Sequence, residues 1–389
     1  MRARVGATVR ILSPPPSLVI DALDALVEHL PDVAGAFVVG LDLRDVSIDW
    51  TAVDAAGTTF AGCRVGLTDE HLLRAQGAVV LPPLDALGFD PYRARLYSID
   101  DLMAGYVPGR PETTLDARIG EIARLAPTPL RSLARGMHDA CIDAALVRFL
   151  HAAAGPVVGI MGSHSNPRGD ELYRAVAELG RRLTREGFVV STGGGPGLME
   201  AANLGAWLAH PPDDALAAAI SRLAEAPDYR ADPARFLEAA LDVRARWPHG
   251  GVSLGVPTWI YVDEPVNQFA THVAKYFENS IRENGLLAIA LGGVVFMPGG
   301  SGTAQEIFTD AAQNDYSMYE ARRPMIFLGT ADDPDMCTLV VALEAIARRR
   351  GWADLIRVVD DGEAAVNALR ELVPAGAVPP GWPLRRRRS

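Results

Sequence analysis

The sequence predicts an α/β protein in which a parallel sheet carries helices on both faces, preceded by an N-terminal α+β module. From about residue 155, short apolar runs alternate with amphipathic segments of helix length. This alternation is typical of parallel strands joined by right-handed crossover helices. In addition, three of the apolar runs end in glycine-rich segments. At 389 residues the chain is also longer than one ordinary domain, so we expect two.

Residues 1–150 have a mixed pattern, which we interpret as a separate α+β module without an assigned role. Strands are expected at 8–12 and 36–39, and helices at 18–30 and 130–150. The last of these helices contains three residues of interest, His138, Asp139 and Asp143. A buried or solvated helix face explains them, and a metal or catalytic role is the alternative.

Residues 151–375 are expected to form the parallel-sheet domain. Strands are predicted at 156–161, 188–192, 252–256, 294–297, 324–328 and 355–359. Helices are predicted at 170–186, 198–209, 268–287, 304–313, 336–350 and 363–372. Residues 211–247, rich in Ala, Arg, Asp and Pro, interrupt this rhythm and read as an insertion of two helices. Residues 376–389 end in four arginines, and we expect this tail to be disordered.

Composition and charge narrow the function classes. The formal charge of −11 argues against a general binder of nucleic acid or of anionic membranes. The longest apolar stretch, 286–297, is shorter than the roughly 18 residues that a membrane span needs. The N-terminus lacks the apolar core of a signal peptide, and the three cysteines lie far apart without metal-ligand spacing. We therefore expect a cytoplasmic protein with reduced thiols.

The segment 293–306 contains the most informative motif of the chain. An apolar run (VVFM) breaks into PGGSGTAQE, which indicates a strand, a phosphate-binding loop and a helix. Glycines leave backbone N–H groups open to an anion, and the following helix directs the positive end of its dipole toward it. The expected phosphate-binding residues are Gly299, Gly300, Ser301, Gly302 and Thr303. Glu306 lies close behind them, and because a carboxylate does not bind an anion we consider it a candidate for chemistry.

Two further glycine-rich loops follow predicted strands. One is 191–200 (STGGGPGLME), and the other begins at Gly162 and Ser163. The binding residues expected from the first of these are Gly193, Gly194, Gly195 and Met199. Open parallel sheets bind ligands outside the carboxyl ends of their strands, so the three loops are expected to line one crevice for a nucleotide or phosphate.

Arg282 precedes the central strand and has two interpretations. It could form a surface pair with Glu278 four residues earlier, which contributes only a few tenths of a kcal/mol. Alternatively, its planar guanidinium could bind phosphate or ribose at the mouth of the crevice. The chain contains a single lysine, Lys275, so arginine is the cation expected to contact phosphate.

These motifs carry a family resemblance over about residues 155–330. PGGSGTAQE resembles the PGGxGTxxE signature of the LOG family, the cytokinin riboside 5′-monophosphate phosphoribohydrolases, often labelled "lysine decarboxylase-like". Residues 193–199 are similar to that family's glycine-rich segment, and 264–267 (EPVN) followed by Arg282 resembles the bacterial pyrimidine/purine nucleotide 5′-monophosphate nucleosidases. The resemblance implies a Rossmann-like fold and Arg282 and Glu306 as catalytic residues. It also implies substrate contacts from Glu264 and Asn267.

The reaction implied is hydrolysis of the N-glycosidic bond of a nucleoside 5′-monophosphate, which releases the free base and ribose 5-phosphate. Its transition state resembles an oxocarbenium ion, and Glu306 could stabilise that charge or activate water. No metal and no cofactor is required. A pyridoxal-phosphate decarboxylase is poorly supported, because its Schiff base would depend on Lys275 alone.

The alternative from another class is a carrier or sensor that binds a nucleotide or a molybdopterin-like cofactor without hydrolysing it. The PGGxGT loop would serve such a protein equally well. The presence of both Glu306 and Arg282 favours the enzyme, because phosphate binding alone does not require the glutamate. The base that is removed is not indicated by these residues.

A homodimer or larger oligomer is also expected. Apolar residues recur at three-to-four-residue spacing in the predicted helix 268–287. They are Phe269, Val273, Tyr276, Phe277, Ile281 and Leu287. This stripe could pack on the protein's own sheet instead, but the resemblance implies oligomers whose sites lie near the subunit contact.

Overall fold

A computed structural model describes residues 18–261, 264–316, 322–330 and 333–373. The strand expected at 8–12 and the tail at 376–389 lie outside these residues. The chain divides into two compact units. Within the described residues, one unit contains 18–96 and 125–149, and the other contains 97–124 and 150–373. Residues 97–124 thus belong with the C-terminal sheet, so the units do not follow one another along the chain.

The N-terminal unit is built on a four-stranded parallel sheet in the order β1-β2-β3-β4. Its strands are β1 (Val19–Ile20), β2 (Phe37–Val39), β3 (Thr59–Ala61) and β4 (Val79–Leu81). Its helices are α1 (Leu23–Glu28), α2 (Leu67–Ala75) and most of α5 (Pro129–Ala152). Its core includes Trp50 packed edge-on against Phe60, with the ring centroids 5.6 Å apart.

His138 and Asp139 lie on the buried face of α5, and their side chains contact each other at 2.9 Å. Burial lowers the pKa of His138, although the Asp139 carboxylate opposes that change. Among the described residues no group of three or more His, Cys, Asp and Glu side chains is placed to hold a metal ion.

The second unit contains a seven-stranded, fully parallel sheet in the order β11-β10-β9-β5-β6-β7-β8, which confirms the predicted fold class. The strands are β5 (Val157–Met161), β6 (Val189–Thr192), β7 (Ser253–Gly255), β8 (His272–Val273), β9 (Val294–Phe296), β10 (Met325–Leu328) and β11 (Ile356–Val359). The central strands are buried along their whole length, as expected for a sheet covered on both faces.

Helices connect these strands, and two short ones precede the sheet. They are α3 (Ile99–Leu102), α4 (Leu115–Arg124), α6 (Glu171–Arg185), α7 (Leu198–Trp207), α8 (Asp214–Leu223), α9 (Pro233–Arg246), α10 (Asn279–Ile289), α11 (Ser301–Tyr316), α12 (Pro334–Arg350) and α13 (Gly362–Leu372). The insertion at 211–247 forms two helices, α8 and α9, as predicted. Over the described part of the chain, no helix combines the length and hydrophobicity needed to cross a membrane.

The helix predicted at 268–287 is wrong in its first half. Residues 268–278 are not helical: within them the two-residue strand β8 pairs with β7, and Val273 also pairs with Tyr97 in an antiparallel bridge. Both faces of this segment are buried, so its apolar residues follow neither a helical nor a strand period. The helix α10 begins only at Asn279, which places Arg282 in its first turn.

A buried ion pair fixes the insertion beside the start of α7. Arg168 donates to Glu200 through Nε and Nη2 at 2.7 and 2.6 Å. Its Nη1 donates to the Phe236 carbonyl of α9 at 2.7 Å, and Tyr173 donates its hydroxyl to Glu200. Because Glu200 lies in the first turn of α7, the pair also holds the glycine loop that leads into that helix.

Candidate functional site

The sheet order places the three glycine loops side by side. From β5 the strands run outward through β6 and β7 in one direction and through β9 and β10 in the other. Such a switch point leaves a crevice at the carboxyl ends of the central strands, which is where open α/β sheets bind ligands. A cavity of about 580 Å³ lies there, lined by the loops that follow β5, β6 and β9.

Thirteen of the fifteen predicted site residues line this cavity. They are Gly162, Ser163, Gly193, Gly194, Gly195, Met199, Glu264, Arg282, Gly300, Ser301, Gly302, Thr303 and Glu306. Gly299 and Asn267 are not among its lining residues. Gly299 instead packs on Thr303, since a Cβ added to Gly299 would lie 2.2 Å from Thr303 Oγ1.

Asn267 supports the glycine loop rather than facing the cavity. Its side chain donates to the Met199 carbonyl at 3.1 Å and to Asn203 Oδ1 at 2.9 Å. Its backbone N–H donates to the Gly194 carbonyl. The predicted ligand contact from Asn267 is therefore corrected: its amide is occupied by protein groups, and it positions the residues that line the site.

The helix α11 begins at Ser301, three residues before its predicted start at residue 304. Gly302 and Thr303 therefore belong to its first turn, and only 297–300 form the loop after β9. The first backbone N–H groups of a helix have no partner within the helix. Those of α11 are part of the cavity wall, so an anion there would meet open donors and the positive end of the helix dipole.

The loop after β6 needs glycine for two different reasons. Gly194 has φ +73°, a conformation that L side chains rarely adopt, and its N–H donates to Thr192 Oγ1. Gly193 has ordinary backbone angles, but a Cβ there would lie 2.2 Å from Nη2 of Arg282. The guanidinium therefore occupies the space that a side chain at position 193 would fill.

Arg282 is held rigidly at the cavity wall. Its Nε donates to the Val256 carbonyl at 2.6 Å, and its Nη2 donates to the Gly193 carbonyl at 3.2 Å. The remaining Nη1 lies 3.9 Å from Oε1 of Glu306. The sequence left two interpretations of Arg282, a surface pair with Glu278 and a guanidinium in the crevice. This geometry matches the second interpretation.

Glu306 has the most perturbed carboxyl of the cavity. Burial raises its pKa to about 7, and this effect outweighs the opposing attraction of Arg282, while the neighbouring Glu283 raises the pKa further. The side chain retains 17% exposure, so its proton can exchange with solvent in the cavity. Near neutral pH, Glu306 is therefore present both as carboxylate and as neutral acid.

Other lining residues were not predicted. Glu283 accepts hydrogen bonds from Asn279 and from Gln305, which holds α10 against α11. Lys275 is buried, pairs with Asp116 at 2.6 Å and lies over the ring of Trp259. That Lys275 is the only lysine of the chain was a sequence signal that could have drawn attention to it. Its pairing could not be foreseen, because its partner Asp116 lies 159 residues away in sequence.

Comparison with known proteins gives limited matches. Residues 155–210 match the model of the SLOG cluster4 family. This segment spans β5 to α7, including two of the glycine loops, and ends before the third. No curated protein matches the chain.

Two of the similar solved structures are named for molybdenum cofactor. The molybdenum cofactor binding protein of Rippkaea orientalis is 17% identical, with a TM-score of 0.34, over 56% of this chain and 96% of its own. The molybdenum cofactor carrier protein of Chlamydomonas reinhardtii is 20% identical, with a TM-score of 0.33, over the same shares. At sequence identities of 17% and 20%, the likeness concerns the fold and not the ligand.

Proposed function

We propose that this chain binds a phosphorylated nucleotide or nucleotide-like cofactor in the 580 Å³ cavity. The observation that carries the proposal is the convergence of three glycine loops on one cavity that is also lined by the first turn of α11. Backbone N–H groups at a helix N-terminus bind phosphate without needing a charged side chain. The rest of the ligand would extend toward Arg282 and Glu306.

The cations of the cavity support this assignment of the phosphate to α11. Arg282 uses two of its nitrogens on backbone carbonyls, and Lys275 is paired with Asp116. Lys275 is thus occupied by a protein group, and Arg282 keeps only Nη1 without a hydrogen bond to the described residues. A phosphate at the first turn of α11 would be bound mainly by N–H groups and by the Thr303 hydroxyl.

More specifically, we propose that the bound ligand is a nucleoside 5′-monophosphate. Its N-glycosidic bond would be hydrolysed, as in the LOG-type proteins that the motifs resemble. The specific support is the pair of Glu306 and Arg282 at 3.9 Å in a shielded cavity. In its ionised form, Glu306 would stabilise positive charge at the anomeric carbon or accept a proton from water. Arg282 would keep a fraction of Glu306 ionised at neutral pH, because it lowers the carboxyl's pKa.

A carrier or sensor that keeps its ligand intact is the second candidate, and the geometry supports it at least as well. None of the proposed phosphate contacts involves Glu306. In addition, burial raises the pKa of Glu306, so a fraction of the molecules carries a neutral carboxyl near pH 7. A neutral carboxyl donates a hydrogen bond to a ligand but does not activate water. Since similar structures are named for molybdenum cofactor, a molybdopterin ligand belongs among those tested.

The first experiment measures binding by titration calorimetry with ribose 5-phosphate, AMP and CMP. We expect all three to bind, because they share the phosphate. Thr303→Val, which keeps the shape and removes the hydroxyl, should weaken each by about tenfold to a hundredfold, the usual effect of one lost hydrogen bond to a charged group. Gly285→Ala is the control, since no described heavy atom lies within 4 Å of the added Cβ. Absence of binding by all three phosphates would refute the proposal.

The second experiment separates the two candidates. The protein is incubated with AMP, GMP, CMP, UMP and isopentenyl-AMP, and free base is measured by chromatography. Release of base that disappears in Glu306→Gln supports hydrolysis. Tight binding of a nucleotide or of molybdopterin with the ligand recovered intact supports the carrier or sensor.

A further inference from the structure

A second cavity of about 310 Å³ adjoins the first in the same compact unit. It is formed by three segments: α4, the insertion helix α9, and the chain between β7 and β8. The first two are an N-terminal segment and an insertion, so this cavity is built by parts of the chain outside the glycine-loop motifs.

The two cavities share a wall of six residues. They are Thr258, Tyr261, Glu264, Pro265, Val266 and Lys275. Because the same residues line both cavities, the second cavity lies directly beside the first. This adjacency favours one ligand with two parts over two unrelated ligands.

The second cavity disfavours a group with negative charge, because four carboxylates line it, those of Glu112, Asp116, Glu121 and Glu264. Trp259 and Tyr229 contribute aromatic rings and Leu237 contributes an aliphatic wall. The two cations that line it are engaged, with Lys275 on Asp116 and Arg124 on Glu121 at 2.8 Å. A second phosphate would find no uncommitted cation among the described lining residues, whereas an uncharged heterocycle needs none.

Gln268 provides a polar contact for such a group. It lines the cavity and is only 2% exposed. Its Nε2 donates to the Val266 carbonyl at 3.2 Å, but its buried Oε1 accepts no hydrogen bond from the described residues. An unsatisfied buried acceptor costs free energy, and a ligand N–H group would satisfy it.

We propose that the second cavity is the subsite for the base of the ligand, a planar nitrogen heterocycle that donates an N–H to Oε1 of Gln268. The inference rests on the proposed binding of a phosphorylated nucleotide in the first cavity. It assigns ligand selectivity to α4 and α9.

The test compares AMP with ribose 5-phosphate on the full chain by calorimetry. In Gln268→Met, which keeps the length and removes the acceptor, AMP should bind about fivefold more weakly while ribose 5-phosphate is unchanged. Ala117→Phe, which fills the cavity from α4, should weaken AMP by more than about tenfold and again spare ribose 5-phosphate. Thermal unfolding of both variants checks that they are folded.

The outcomes distinguish this inference from the proposed function. Failure of ribose 5-phosphate, AMP and CMP alike to bind wild type would refute the proposed function itself. If ribose 5-phosphate binds but neither variant changes the affinity for AMP, the base lies elsewhere and the inference is wrong. Equal weakening of both ligands would also overturn it, because the variants would then act on the phosphate site.

Discussion

Replacing Glu306 with Gln tests the central feature of the site, a carboxyl held at a raised pKa. The substitution preserves shape and removes the ionisable group. If the hydrolase proposal is correct, base release is abolished while the affinity for nucleotide stays close to that of wild type. Turnover near the wild-type rate would show that Glu306 is not the catalytic carboxylate.

The same variant has an effect on stability that does not depend on any ligand. The pKa of Glu306 rises from 4.5 to about 7 in the folded protein. Below pH 4.5 the carboxyl is protonated in both the folded and the unfolded state, so it does not lower the free energy of unfolding. As the pH rises from 4.5 to about 7 the folded state is increasingly destabilised, because it holds a proton that the unfolded chain has released, and above about 7 the cost stays constant. At about 1.4 kcal/mol per tenfold change, the full cost is about 3 kcal/mol.

Glu306→Gln should therefore be more stable than wild type by about 3 kcal/mol at pH 8.5 and by about 1 kcal/mol at pH 5.5, because ionisation of the unfolded chain begins near 4.5. Urea unfolding at both pH values measures this difference. Glu363→Gln, which neutralises a carboxylate that is 70% exposed, is the control and should show no such gain. If the two variants respond alike, the raised pKa of Glu306 is refuted.

Three further predictions concern the surroundings of this site. Arg282→Gln should move the pH midpoint of any base release upward, because Arg282 lowers the pKa of Glu306; an unchanged pH profile would contradict this. Gly193→Ala should displace the guanidinium and weaken AMP binding by more than about tenfold in calorimetry, whereas Gly285→Ala should not. We also propose self-association, and Phe308→Glu on the exposed side of α11 should lower the mass measured by light scattering; a monomeric wild type would refute it.

Phe308 is a better test of self-association than Phe277, a residue of the apolar stripe that the sequence indicated. Phe277 is buried in the same unit and stacks on Trp259, with the ring centroids 4.6 Å apart. A charge at Phe277 would disrupt the core whether or not the protein forms oligomers. Phe308 is 40% exposed and therefore reports on association without that effect.

The sequence by itself determined six of the seven strands of the larger parallel sheet and the place of the three loops. Each of these six strands is short, mostly apolar and bounded by turn residues, and each loop carries glycines that follow a strand. These are local signals, and they act through backbone geometry within about ten residues. Because parallel strands end at one edge, the loops could be assigned to a single crevice before their neighbours were known.

Only the tertiary structure decided the remaining features, because each depends on partners that are distant in sequence. The segment 268–278 is not helical, because its strand β8 pairs with β7 and with Tyr97, and this pairing overrides the apolar spacing of the segment. Lys275 is a structural cation because Asp116 reaches it from α4. The pKa of Glu306 is set mainly by how much solvent the surrounding elements exclude, and no spacing of residues along the chain reports that quantity.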